Sequence, residues 1–242
     1  MKFPVYLDKN QDFPDTKFAD NVDLIAIGSD LSVERLLQAY QKGIFPWFQE
    51  QPILWWSPTI RAVFITNKFY VSKSFEKFIQ KKIKMGNWSI SVNICFDRVI
   101  KKCTERKEGT WINQDMVIAY NKLANHGYAH SFELWETNKS RKKLIGGLYG
   151  VKIGGLFCGE SMFSKRTNAS KTILYALSKW MAKNNMPILD AQIPNRHLSS
   201  LGAINISRSE YESIIYKLIS MPEVKFPDKL VIDSYNVSNP KS

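Results

Sequence analysis

A carboxylate stands inside an apolar run: Glu160 in FCGESMF, with Cys158, Met162 and Phe163 around it. On a buried strand such a group must be desolvated or paired, which sets it apart from a surface acid. The plainer alternative is a strand-end acid that caps a loop or pairs with Lys165 or Arg166. A second polar pair, Asp190 and Gln192, interrupts PILDAQI. Side chains two apart on a strand share a face, so these two can bind each other and a ligand, or form a purely structural pair. A third feature is TWIN (110–113), which places Trp111 just ahead of a helix. A fourth is GIFPWFQEQPILWWSP (43–58), sixteen residues with three Trp, two Phe and three Pro. Its composition reads as an extended loop, stiffened by proline and pinned by aromatic burial.

Familiar catalytic templates are missing. The chain has no GxGxxG, GxxxxGK[ST], HExxH or GxSxG. Its three histidines are His126, His130 and His197, and their spacing gives no support to a Ser-His-Asp hydrolase. Glycines crowd GGLYG (146–150) and GG (154–155), beside Glu160. They suit turns, or close backbone approach in a cleft between strands.

These residues need elements to hold them. LSVERLLQAYQKG predicts a helix with Val33, Leu36, Leu37 and Tyr40 on one face, Asp30 or Ser32 as cap, and Gly43 after the last turn. RAVFIT (61–66) and WSISVNI (88–94) read as strands. A basic helix near 72–83 turns Phe75, Phe78 and Ile79 to one side. Two more helices are marked by Phe96, Val99, Ile100 and Cys103, and by Met116, Tyr120, Leu123 and Ala124. From about 129 the period shortens to three strands, AHSFELWE, KLIGGLYGV and GGLFCGESMF. A helix at 170–183, capped by Ser170 or Asn168, precedes the strand PILDAQI (187–193). A last helix carries Tyr211, Ile214, Ile215 and Leu218, and the Ser207…Glu210 spacing fits a capping box. The fold class is mixed α/β: a small irregular N-terminal domain over 1–63 and a larger one over 64–242, a mixed sheet covered by helices.

The chain has 242 residues and a net charge of +12, without an apolar run long enough to span a membrane. Pro and Asp break the N-terminus before a signal-peptide core can form. A soluble cytoplasmic protein is expected, with Cys95, Cys103 and Cys158 as reduced thiols. The charge is uneven: residues 68–107 hold eleven Lys/Arg against three acids. This is either a solvated face or the footprint of a polyanion, nucleic acid first.

LIAIGSDLSVERLLQAYQKGIFPWF, PILWWSP, GTWIN, AHSFELWE, GGLYGV, FCGESMFS, NASK, DAQ and SLGAINISR follow one another in order. Together they resemble the leucyl/phenylalanyl-tRNA–protein transferases, bacterial aminoacyltransferases of the N-degron pathway, from about residue 23 to 211. The resemblance implies an acetyltransferase-like (GNAT) larger domain. It implies transfer of Leu or Phe, less readily Met, from tRNA to the α-amino group of an N-terminal Arg or Lys, marking the acceptor protein for degradation. It places Asp190 and Gln192 at the proton step; because a neutral amide is a weak base, Gln192 is expected to orient the amine and Asp190 to polarise the Gln192 amide. Glu160 then holds the cationic acceptor N-terminus. Trp47 and Trp111 sandwich the terminal adenosine, with Tyr40 in support. Leu148, Phe157, Met162, Leu177 and Leu189 form the pocket for the donor side chain. Leu148 stands where relatives can carry Met, which bears on donor ranking. By their charge, Lys73, Lys77, Lys81, Lys82, Lys84, Arg98, Lys101 and Lys102 are expected to contact the tRNA backbone. From composition rather than resemblance, Phe45, Phe48, Trp55 and Trp56 are expected to clamp the two domains.

Acetyltransferases that use coenzyme A carry a Q/R-x-x-G-x-G/A loop, whereas the equivalent SKRTNASK here has no glycine. An acyl-CoA donor is therefore disfavoured. A monomer without metal or cofactor is expected. The competing class, a non-catalytic RNA-binding module, explains the basic helices and tryptophans but leaves Glu160, Asp190 and Gln192 unexplained.

Overall fold

The computed structural model describes residues 2–105 and 111–233. Arg106 and Lys107 of the basic segment, and Gly109 and Thr110 of GTWIN, lie outside them. The N-terminal part is more regular than expected. It forms a four-stranded sheet from β1 (Val5–Leu7), β2 (Leu24–Gly28), β3 (Phe45–Pro46) and β4 (Leu54–Trp56), in the order β1-β2-β4-β3. Helix α1 (Val33–Gln41) lies between β2 and β3. Strands of two to five residues are too short to display a period, so the sequence reads as irregular there. The aromatic stretch folds back on itself, pairing Phe45 with Trp56 and Pro46 with Trp55. Ser32 rather than Asp30 caps α1, its Oγ accepting the Arg35 N–H.

The remaining elements build a larger sheet. In chain order they are β5 (Ile60–Ile65), α2 (Lys73–Met85), β6 (Trp88–Val92), α3 (Phe96–Thr104) and α4 (Gln114–Asn125). Then come the meander β7 (Ala129–Asn138), β8 (Arg141–Ile153) and β9 (Leu156–Ser164), followed by α5 (Ala169–Lys183) and β10 (Ile188–Gln192). Last are α6 (Arg196–Ser200), β11 (Ile204–Ser207), α7 (Arg208–Ile219) and β12 (Lys229–Leu230). The eight strands lie in the order β11-β5-β10-β9-β8-β7-β6-β12. β9 and β10 pair in parallel, and the other ladders of this sheet are antiparallel. The mixed sheet with helices is the expected fold class. The short α6, β11 and β12 were not foreseen, again because five, four and two residues carry little pattern. Asn168 does not cap α5 through its side chain, and instead takes a left-handed φ of 65°. Ser207 caps α7 by accepting the Glu210 N–H at 3.2 Å, half of the expected capping box.

Successive strand residues split between two cores: Val63, Tyr149 and Cys158 enter one, Phe64, Leu148 and Phe157 the other. The cores therefore lie on opposite faces of the large sheet. The first also takes in Ile25, Tyr40, Phe45 and Trp55, together with Val99 and Tyr120. The second is filled largely by α5, through Ile173, Leu174 and Leu177. The division expected at 63/64 falls inside β5, and residues from both sides of it share the first core. Among the described residues no helix is long and apolar enough to cross a membrane.

Candidate active site

The parallel ladder of β9 and β10 holds Phe157 against Leu189 and Cys158 against Asp190. Just past those pairs stand Glu160 and Gln192, and the Gln192 Nε2 donates to Glu160 Oε1 at 2.7 Å. A cleft of about 960 Å³ opens here, lined by both residues. Trp47 and Trp111 also line it, and Trp47 is 38% exposed. Their segments are tied together, because Asn113 Nδ2 donates to the Gln49 carbonyl at 3.1 Å. Trp56 meets Trp47 edge-on at 5.6 Å and donates its indole N–H to the Trp47 carbonyl. Phe45, Phe48 and Trp55 are buried, and Phe45 also lines the cleft.

Glu160 is surrounded by neutral donors. Tyr40 Oη donates to Oε1 at 2.7 Å and Tyr120 Oη to Oε2 at 3.0 Å, and the two hydroxyls touch each other. Burial pushes the carboxyl up to about 7, and Asp190 adds to the rise. The hydrogen bonds from the two tyrosines and Gln192 oppose it. Burial, with the carboxylate next in effect, raises both tyrosines, which stay protonated donors. The alternative pairing with Lys165 or Arg166 is not formed; Arg166 approaches Glu136 instead, at 3.4 Å.

Asp190 is different. It is completely buried and bridged by Arg61, whose Nε reaches Oδ1 at 2.9 Å and Nη2 reaches Oδ2 at 2.6 Å. Tyr211 Oη donates to Oδ2 at 2.8 Å. The Gln192 backbone N–H donates to Oδ1 at 2.9 Å. Asp190 therefore does not polarise the Gln192 side-chain amide. The same-face expectation assumed a regular strand, but the β10 register shifts between Asp190 and Gln192, and Gln192 has a φ of 61°. The bulge separates the two side chains.

Tyr40 also departs from expectation. Its ring is 1% exposed and cannot stack a base; its hydroxyl serves Glu160 instead. Of the five expected pocket residues, Leu148, Met162 and Leu189 line the cleft. Phe157 and Leu177 are fully buried in the same core without lining it, while Phe64, Leu174 and Ala191 do line it. Among the basic residues, Lys73, Lys77, Lys81 and Lys84 are exposed on α2. Lys82 lies over Trp88 at 4.3 Å, Arg98 over Trp135 at 5.7 Å, and Lys101 pairs with Asp97 at 2.9 Å. Lys102 reaches the cleft, as do Lys165 and Arg166, which were not among the expected contacts. Arg61, Tyr120 and Tyr211 were missed as well. Arg61 was detectable, as a charge flanked by Ile60 and the apolar run AVFI.

Sequence comparison identifies the family. The family profile described as leucyl/phenylalanyl-tRNA protein transferase matches residues 63–216, and that of its N-terminal domain matches 29–59. A leucyl/phenylalanyl-tRNA–protein transferase of Shewanella baltica is 45% identical over 213 residues, covering 86% of each chain. Those of Legionella pneumophila and Flavobacterium johnsoniae are 42% and 45% identical, covering 90% and 87% of this chain and 96% and 98% of theirs. Among solved structures, the chain is similar to FemX, with a TM-score of 0.44 at 10% identity over 77% of this chain and 73% of that one. By the profile match and these identities, the chain belongs to the leucyl/phenylalanyl-tRNA protein transferase family.

Proposed function

We propose that the chain transfers Leu or Phe, and less readily Met, from aminoacyl-tRNA to the α-amino group of an N-terminal Arg or Lys on an acceptor protein, which is thereby marked for degradation. The observation that carries this reading is the hydrogen-bonded Glu160–Gln192 pair, set in a cleft with two tryptophans and an apolar wall. Trp47 and Trp111 suit the terminal adenosine, since stacking on an aromatic face does not depend on base identity. Leu148, Met162 and Leu189, with Phe64 and Leu174, offer the donor side chain an apolar surface. Such a wall disfavours charged aminoacyl groups. The lysines of α2 and α3 supply phosphate contacts, so tRNA affinity should fall steeply as salt rises.

The ester is already activated, so the protein's task is placement. Holding amine and ester in attack geometry can account for ~7–11 kcal/mol of barrier. Ionised Glu160 draws in the acceptor ammonium. Its pKa of about 7 lies close to that of an α-amino group, about 7.7–8.0, and matches it to take the ammonium proton. The Gln192 amide donates to Glu160, leaving its oxygen to accept from the incoming amine. The neutral nitrogen then attacks the ester carbonyl, the C–N bond forms, and the ribose oxygen leaves with a proton.

The test uses charged leucyl-tRNA and a reporter protein beginning with Arg, read by mass for the gain of one leucine. Gln192→Ala should cripple transfer while leaving tRNA affinity intact. No gain with the wild-type chain, or full transfer by the variant, would refute the assignment.

A further inference from the structure

We propose that Arg61 is a positioning residue for this reaction, acting on Gln192 through Asp190. The inference rests on the transfer chemistry proposed above. Asp190 has no free capacity: Oδ1 accepts from Arg61 Nε and the Gln192 N–H, and Oδ2 from Arg61 Nη2 and Tyr211 Oη. Four acceptor sites are filled by four donors. The carboxylate is 0% exposed and paired with a guanidinium, so it offers no open contact to a substrate.

What it does hold is the backbone of Gln192. That residue sits at a φ of 61°, a region side-chain-bearing residues rarely adopt without outside support. The Asp190 Oδ1 contact to its N–H provides the support. Released to an extended conformation, Gln192 would lose the bulge that brings its Nε2 to Glu160.

Arg61 fixes Asp190 in turn. Its guanidinium is anchored by the Gly43 carbonyl at 2.9 Å and lies between the Phe45 ring at 4.8 Å and the Tyr211 ring at 4.3 Å. A planar fork grips both carboxylate oxygens at once, and a lysine at this position would present a single point charge. The line of action thus runs from β5 through Asp190 to the Gln192 backbone, and from the Gln192 side chain to Glu160.

The experiment is a double-mutant cycle on steady-state transfer, with Arg61→Lys, Gln192→Ala and the double variant. Arg61→Lys should lower kcat by about 10²-fold, the scale of a small misplacement at a reacting centre. The KM for leucyl-tRNA should hold, and Arg61→Lys should cost nothing further in the Gln192→Ala background. An equal loss in both backgrounds, an effect on KM alone, or unchanged kcat would each overturn the inference. If Arg61→Lys fails to fold, Tyr211→Phe takes its place in the same cycle, since it leaves the ion pair and removes one Asp190 contact. Full transfer by Gln192→Ala alone would overturn the reaction scheme and this inference together. An additive cycle with an impaired Gln192→Ala would overturn only the inference.

Discussion

Glu160 and Asp190 stand on neighbouring strands, both buried, and live under opposite rules. Asp190 meets a cation, and its two oxygens are held by a bidentate ion pair. Glu160 meets two phenols and an amide, all neutral, and its charge is free to change near physiological pH. The same side-chain chemistry is spent on rigidity in one place and on response in the other. Burial alone predicts neither, because the partner decides which outcome follows.

The largest effect should come from breaking the rigid member. Asp190→Ala leaves Arg61 buried and uncompensated, which should lower unfolding free energy in urea by ~3–5 kcal/mol. A loss below ~1 kcal/mol would erase the contrast.

The responsive member should show itself through pH. Folded Glu160 keeps its proton up to about 7, whereas an ordinary glutamate releases it near 4.5. Between those values the folded state binds more protons, so this group's contribution is greatest below 4.5 and declines as pH rises to 7. The shift corresponds to ~3 kcal/mol. The stability difference between wild type and Glu160→Gln should change by about that much across the window, and stay flat in a protein whose Glu160 titrates normally. Transfer by the wild type should climb through the same pH region, and Glu160→Gln should lose that inflection.

Trp47 lies outside both carboxylate networks and serves as a control. Trp47→Ala should weaken binding of the aminoacylated tRNA end by ~1–3 kcal/mol and leave both pH responses in place. Unaltered affinity would remove Trp47 from the RNA end. The smallest effect belongs to Tyr40→Phe. Losing one donor should move the activity inflection of Glu160 upward from about 7; a downward move would mean the hydroxyl does not favour the charged form.

The sequence shows the two carboxylates by one criterion, a polar residue inside an apolar strand. The same criterion would have flagged Arg61 in RAVFIT and Glu133 in SFELWE, which is fully buried and accepts from Ser91 and Ser131. It cannot tell which buried polar groups meet. Arg61 and Asp190 are 129 positions apart, and only the sheet order places β5 beside β10. The bulge at Gln192 was hidden for a different reason: alternation presumes a regular strand, and one left-handed residue overturns it. Long helices with good caps were legible because periodicity accumulates over several turns. Tyr40 illustrates the limit: its place on the buried face of α1 was evident, but not that its hydroxyl would reach Glu160 on β9.

The strand β5 crosses the expected boundary at 63/64, and Arg61 lies on the N-terminal side of it. A polypeptide cut between residues 63 and 64 would yield two fragments, one carrying the cation and the other the anion. Neither could bury its charge alone, and the Gly43 carbonyl and Phe45 ring that hold the cation would go with the shorter piece. The fragments would therefore be expected to regain order only by reassociating, as in split-protein complementation.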